Sequence, residues 1–318
     1  MPLRPLALCW LLFACHCFAL AAEAGAAASV QTVGAATFTE QREEDSAKGA
    51  LFKVSGGGGV VYLFGTIHAG NASMYPLAPA ISRALAGADE LVLELDTRDD
   101  AAFQRAQVRY GHYSGDDTIR NHVSAATLKR LTTALRGHGI PLLHVDRLKP
   151  WLLANYLMGL ELQRSGLVRA QGNEAFLLEQ VKARGTAVTQ LESADYQLAL
   201  FDTLDQVGAE AYLCETLDQL ADGRSMRRAT ATIAAWRSGD SAALDAVIAG
   251  EVEGSAPIAE FTRRMLLGKR NPEMAERIEH IMKPGKTAFV GVGLLHLLGA
   301  DGLPRLLAQR GLSVQRVN

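Results

Sequence analysis

Cysteine is scarce in this chain of 318 residues, and where it stands excludes two kinds of chemistry. Of four cysteines, Cys9, Cys15 and Cys17 lie within the first 22 residues, and only Cys214 lies beyond them. A chain that loses its leader has no pair to form a disulfide and no cysteine cluster to hold zinc, so its stability must come from an apolar core. Charge of one sign is lacking as well. Thirty-two Lys and Arg against 34 Asp and Glu, a net charge of -2, make no field that would gather nucleic acid or an anionic membrane, and neither is expected as a partner. Beyond the leader no apolar run is long enough for a membrane span, and no solenoid period is present. No serine stands in a Gly-x-Ser-x-Gly elbow, and Cys214, in a helical run, reads as an inert core residue.

The leader itself is distinct. Arg4 precedes an apolar stretch from Leu6 to Ala21, and small residues follow at Ala22 and Ala24. This predicts a signal peptide over residues 1–22, cleavage near Ala21 or Ala24, and export, to the periplasm first of all. A lipoprotein tethered through Cys15 is the alternative, although Phe13 is bulky for a lipidation box; release from the cell is another. Residues 23–46, rich in alanine and polar groups, read as a linker. From Ala47 to the end the pattern is that of a folded domain.

Leu51–Val54 and Val60–Phe64 flank Gly56-Gly57-Gly58-Gly59 and predict a β-hairpin with a glycine turn. A unit of helix, glycine and strand follows. It runs from Pro79 to Ala86, Gly87 and Glu90–Leu95, and recurs at Glu174–Arg184, Gly185 and Ala187–Leu191, ending at Glu192. Thr287–Val292 is a further strand, followed by a helix with Pro304 near its start and a closing strand from Leu312 to Val317. Helices are also expected from Ser124 to Gly137 and from Trp151 to Gln163. The stretch of about 195–282 reads as consecutive helices punctuated by Gly208, Gly223, Gly239, Gly250 and Gly268. The sum is an α/β fold, a central β-sheet flanked by helices, with a helical insertion over about 195–282.

Two strands end in Gly-x-x-His: Gly65-Thr66-Ile67-His68 and Gly293-Leu294-Leu295-His296. With eight histidines in the chain, chance supplies roughly half of one such match, so the weight lies in the setting. Both histidines emerge just past a strand end, where ligands gather in open α/β sheets. Glu94 ends an otherwise apolar strand, where a carboxylate is costly unless paired, and Glu192 holds the same place on its own strand. Two imidazoles and one or two carboxylates are a plausible set of ligands for a divalent ion with a position left for water, and a carboxylate not used as a ligand could serve as general base. The structural alternatives are a buried arginine partner for Glu94 and a helix cap near Ala194 for Glu192. His112, His122, His138 and His280 are expected to be solvated, and His144, after the short strand-like Pro141-Leu142-Leu143, to be structural.

With these residues assembled, the chain resembles the TraB/GumN family, itself similar to the animal Tiki proteases. The resemblance runs through Tyr62-Leu63-Phe64-Gly65-Thr66-Ile67-His68, Val92-Leu93-Glu94-Leu95-Asp96, Asp146–Trp151, Leu191-Glu192 with Gln197–Phe201, Arg270-Asn271 and Gly291–Gly299. It implies a fold like that of ChaN and the erythromycin esterases. It further implies peptide cleavage with a divalent ion, manganese, cobalt or zinc, at a centre of His68, Glu94 and His296, with Arg270 and Asn271 as polar neighbours. Leu294-Leu295 and Leu298 depart from the smaller residues and the proline usual there, and a local packing change is expected from them. The competing functions are metal-independent hydrolysis of an ester or lactone with a histidine as base, and non-enzymatic binding of haem or a peptide.

Overall fold

The computed structural model describes residues 46–317. The leader, its three cysteines and nearly all of the linker lie outside the described residues.

The hairpin forms as expected, with β1 (Leu51–Gly56) antiparallel to β2 (Gly59–Thr66) and Gly56 opposite Gly59. Gly57 and Gly58 between them have φ of 58° and 80°, the left-handed conformation that a two-residue turn needs to match the strand twist. The chain continues through α1 (Pro79–Ala86), β3 (Glu90–Leu93), α2 (Asp100–Gly111), α3 (Ala125–Gly137), α4 (Pro150–Arg164) and α5 (Asn173–Lys182) to β4 (Ala187–Gln190). Helices α6 (Ala194–Phe201), α7 (Gln206–Ala221), α8 (Arg224–Ser238), α9 (Ser241–Val252) and α10 (Pro257–Phe261) follow. A π-helical turn at Thr262–Lys269 then leads without a break into α11 (Arg270–Ile281), and β5 (Thr287–Gly293), α12 (Leu303–Gln309) and β6 (Ser313–Arg316) close the described chain.

The fold is α/β. Six strands form one sheet in the order β4-β3-β5-β2-β1-β6. β4, β3, β5 and β2 are parallel, and only β1 runs against its neighbours. Every residue of β5 from Ala288 to Gly293 is buried, so helices cover both faces of the sheet there. This is why β5 reads as a continuous apolar run rather than an alternating one. Four strand ends carrying Glu192, Glu94, His296 and His68 thus lie side by side along one edge of the sheet.

Several expectations are corrected. β3 ends at Leu93, two residues short of the expected Leu95, although the Glu94 backbone still pairs on both sides, its N–H with the Gly291 carbonyl and its carbonyl with the Glu192 N–H. α2 had no sequence signal of sufficient apolar period. Among the glycines expected to punctuate the helices, only Gly223 and Gly239 flank them, with φ of 70° and 63°. Gly208 and Gly250 lie inside α7 and α9, and Gly268 inside the π-turn. The helices expected ahead of the insertion do form, as α3 and α4, and both pack on α7 within it. His144 ends a 3-10 turn, Leu142–His144, rather than following a strand. His122 stacks on Tyr113 at 4.0 Å and lies 2.7 Å from Asp117, and His138 is 3.7 Å from Glu161, so both are half-buried rather than solvated. No helix among the described residues is long and apolar enough to cross a membrane.

Candidate functional site

The two Gly-x-x-His motifs are neighbours because β2 and β5 pair in parallel, with Gly65 opposite Val292 and Thr66 opposite Gly293. Their glycines have different work. A β-carbon on Gly65 would stand 2.9 Å from Leu294 Cδ1, so Gly65 makes room for the leucine that follows Gly293. Leu294, Leu295 and Leu298 are all buried, which is where the expected packing change is taken up. Gly293 contributes its N–H, which donates to Glu94 Oε2 at 3.0 Å. Glu94 in turn donates its own N–H to the Gly291 carbonyl at 2.9 Å, continuing the β3–β5 ladder past the strand end.

Arg270, at the start of α11, is buried between two carboxylates. Its Nη2 donates to Glu94 Oε1 and, at 2.7 Å, to Glu192 Oε2, while its Nε donates to Glu192 at 3.0 Å. Gln197 Nε2 joins the same two carboxylates, 2.9 Å from Glu94 and 3.0 Å from Glu192. A buried charge is tolerable only when paired and hydrogen-bonded in this way. The buried-arginine alternative for Glu94 is therefore realised, and Glu192 shares it. Glu192 does not cap α6; that cap is Ser193, whose hydroxyl accepts from Tyr196 N at 3.2 Å.

Asn271 follows directly and turns to His296. Its Nδ2 donates to the Asp301 carbonyl at 2.7 Å, which leaves Oδ1 toward the ring, 2.5 Å from His296 Nδ1. An amide oxygen only accepts, so His296 carries its proton on Nδ1 and presents a lone pair at Nε2. That Nε2 is buried, has no hydrogen-bond partner among the described residues, and lies 3.8 Å from Glu94 Oε2.

The surroundings of His68 have no signature in the local sequence. Glu174, in the first turn of α5, places Oε1 2.7 Å from His68 Nδ1. Asn173 accepts from Ile67 N at 2.8 Å through Oδ1 and donates its own N–H to the Ile67 carbonyl at 3.0 Å, so the start of α5 is tied to the end of β2. Glu174 had been visible only as the first residue of a helix; its pairing spans 106 residues of chain and leaves no local pattern.

Consecutive residues of an α-helix face directions about 100° apart, yet Arg270 and Asn271 both enter one centre. They do so at the exit of an eight-residue π-turn, Thr262–Lys269. Pro272 lies one residue further on; in an α-helix it would have no N–H for the Gly268 carbonyl and its ring would press on that carbonyl. A widened turn just upstream is the usual relief, and such turns concentrate at functional sites.

These contacts set the charges. Burial pushes the His296 imidazole down, Arg270 adds to this against Glu94, and its pKa falls to about 3, so the ring is neutral. Burial would push His68 down too, but Glu174 overturns it and the His68 pKa is raised. Burial favours a protonated Glu94, and the Arg270 guanidinium above all overturns that, holding the carboxyl well below the usual range. Burial acts against the charge on Arg270, and Glu94 and Glu192 more than restore it. One centre therefore holds two imidazoles driven in opposite directions.

The donor types suit a divalent ion, and Glu94 Oε2 and His296 Nε2 are close enough for one ion with bonds of about 2.1 Å to reach both. Asn271 and Glu174 hold the far ring nitrogens as partners of metal-ligating histidines commonly do. Against this, Arg270 already occupies Glu94, and among the described residues no group of three or more His, Cys, Asp or Glu is arranged to hold a metal ion.

Sequence comparison gives the same grouping. Two relatives, both called uncharacterized protein YbaP, from Escherichia coli strain K12 and from Shigella flexneri, are each 25% identical over 247 residues, covering 77% of this chain and 87% of their own length. No solved structure matches the chain. The model of the TraB/PrgY/gumN family matches residues 50–316, spanning both histidine motifs, Glu94, Glu174, Glu192, Arg270 and Asn271, and the chain belongs to that family.

Proposed function

We propose that this protein is an exported hydrolase that cleaves peptides with the help of a divalent ion, manganese, cobalt or zinc, held by His296, Glu94 and His68. The observation that carries this reading is the approach of His296 Nε2, buried and with its tautomer set by Asn271, to within 3.8 Å of Glu94 Oε2. When bound, a divalent ion supplies a Lewis acid that polarises a carbonyl and acidifies water. The chain's own groups do the rest. Asn271 keeps the His296 lone pair turned into the centre, Glu174 fixes the ring of His68, and Arg270 keeps Glu94 ionised. Burial excludes bulk water and strengthens each of these interactions.

A second reading is metal-independent hydrolysis of an ester or lactone, with neutral His296 as general base and His68, whose protonated form Glu174 favours, as the acid. The Arg270–Glu94 pair favours it, because a carboxylate already satisfied by a guanidinium is a poorer ligand. Opposed shifts on two neighbouring groups are also what acid–base catalysis requires.

Metal analysis of protein purified without chelator, beside His68→Ala and His296→Ala variants of verified fold, separates the two. A stoichiometric ion that is lost in both variants, together with peptide cleavage that a chelator abolishes, is the expected result. Hydrolysis that persists with chelator, in protein that takes up no manganese, cobalt or zinc, selects the second reading.

A further inference from the structure

The histidine centre is closed to solvent. The side chain of His296 is wholly buried, and those of Glu94, Glu174 and His68 are only 6%, 8% and 11% exposed. A substrate reaches it only after part of the chain moves, and such openings draw on the local segments that are most weakly held.

The segment before α5 runs beside the one that carries His68. Gly70 and Val168 exchange two backbone hydrogen bonds, of 3.1 and 2.8 Å, and Gly172 lies against the His68 carbonyl. Arg169 stands on this segment, and its side chain reaches to the connection that leaves β3. Its Nη2 donates to the Thr97 carbonyl at 2.8 Å, and its Nη1 lies 3.5 Å from Asp100 Oδ1. Thr97 is three residues past Glu94, and Asp100 is the first residue of α2.

Strand order makes this link a bridge over the centre. β5 lies between β2 and β3, so a bond from the segment beside β2 to the connection after β3 spans the position of β5, whose end carries His296. On its other side the connection is pinned as far as Asp96, whose N–H donates to Gln190 Oε1 at 2.9 Å. Residues 97–100 are thus the part that Arg169 holds across the centre. Arg169 is half-buried and Asp100 is exposed, and an ion pair with an exposed partner holds by little. One charge-assisted bond to a carbonyl and one weak ion pair make a fastening that thermal motion can undo.

We infer that Arg169 is a latch: its bonds to Thr97 and Asp100 keep the connection after β3 closed over the histidine centre, and their release opens the path by which a substrate reaches His296. This concerns access alone and holds for either chemistry proposed above. Closure afterwards keeps bulk water from the centre.

Diethyl pyrocarbonate, which acylates imidazoles that solvent reaches, is the probe, with the full chain and peptide mass spectrometry to read the rate at each histidine. His280, exposed on α11, reports the reagent, and His138, half-buried beside Glu161 in the helical layer, reports the fold. Arg169→Ala should speed acylation of His68 by about tenfold, or 1.4 kcal/mol in the opening equilibrium, and leave His138 and His280 unchanged. Asp100→Asn, which spares the bond to Thr97, should give a smaller rise at His68. An unchanged rate at His68 in Arg169→Ala overturns the inference. So does an equal rise at His68 and His138, which would make Arg169 a support of the whole fold rather than a latch. No catalytic activity enters this measurement, so failure of the hydrolase reading leaves its outcome intact.

Discussion

Gly172 lies so near His68 that a β-carbon on it would stand 2.1 Å from the His68 carbonyl oxygen. With a φ of -71° the residue is not conformationally special; glycine is needed because α5 begins against the backbone of β2. Gly172→Ala should push α5 away and cost about 1–3 kcal/mol, as overpacking of a tight contact does. Urea denaturation checks the cost, and loss of the Glu174 effect on the His68 titration, followed by NMR, checks the displacement.

The pair of His68 and Glu174 makes stability depend on pH in a defined sense. The His68 pKa is raised above its ordinary 6.5, so its contribution is fully present below that value and is lost as pH rises through the folded pKa. Glu174→Gln removes the opposing charge and leaves burial, so the His68 pKa should fall below its value in the unmodified protein. An unchanged titration of His68 in that variant would show that Glu174 does not hold its proton.

His296 acts in the opposite direction and in another range. Its pKa of about 3 lies below the unfolded value of 6.5, so the unfolded chain binds a proton that the folded one refuses. Stability should decline as pH falls through that interval, by about 1.4 kcal/mol per pH unit from this group alone. His296→Asn should flatten the profile by that slope when denaturation is measured at pH 6, 5 and 4.

Arg270 is the cation between Glu94 and Glu192, and removing it strands two buried carboxylates. Arg270→Ala should cost about 3–5 kcal/mol, the range for breaking a buried ion pair from one side. Arg270→Lys should recover part of this, since it restores the charge without the fork that reaches both acids. Chemical denaturation of the two variants is the measurement, and equal losses would show that the fork geometry contributes nothing.

Gly268 lies in the π-turn, and a β-carbon there would stand 2.7 Å from the Arg263 carbonyl oxygen. Gly268→Ala should therefore disturb the entry of Arg270 and Asn271 together. The proton on His296 Nδ1, held by Asn271, reports this: nitrogen NMR of the imidazole should show a mixed tautomer in the variant and a single one in the unmodified protein.

Much of the framework was legible in the order of residues. The glycine hairpin, the helix from Pro79 and the apolar run of β5 carry their own periodicity and turn chemistry, and both histidine motifs stand where strands end. Glu94 and Glu192 stood out for a physical reason, as carboxylates closing apolar strands. Gly208, Gly250 and Gly268 misled, because a helix held by tertiary packing tolerates a glycine whose intrinsic cost is only about 1 kcal/mol. The π-turn was hidden for a related reason, since Pro272 says that a helix must yield nearby without saying how.

By itself the sequence determined the residue types at the strand ends, the α/β framework and membership in a family whose pattern those residues carry. Only the tertiary structure decided which carboxylate serves which imidazole. Strand order brought β5 between β3 and β2, so that Glu94 met Arg270 and His296, and the seat of α5 on β2 gave Glu174 to His68. Such pairings join residues far apart in the chain, 176 positions for Arg270 and Glu94. Their charges, and the opposed pKa shifts of the two histidines, follow from distance and burial, which local sequence does not encode.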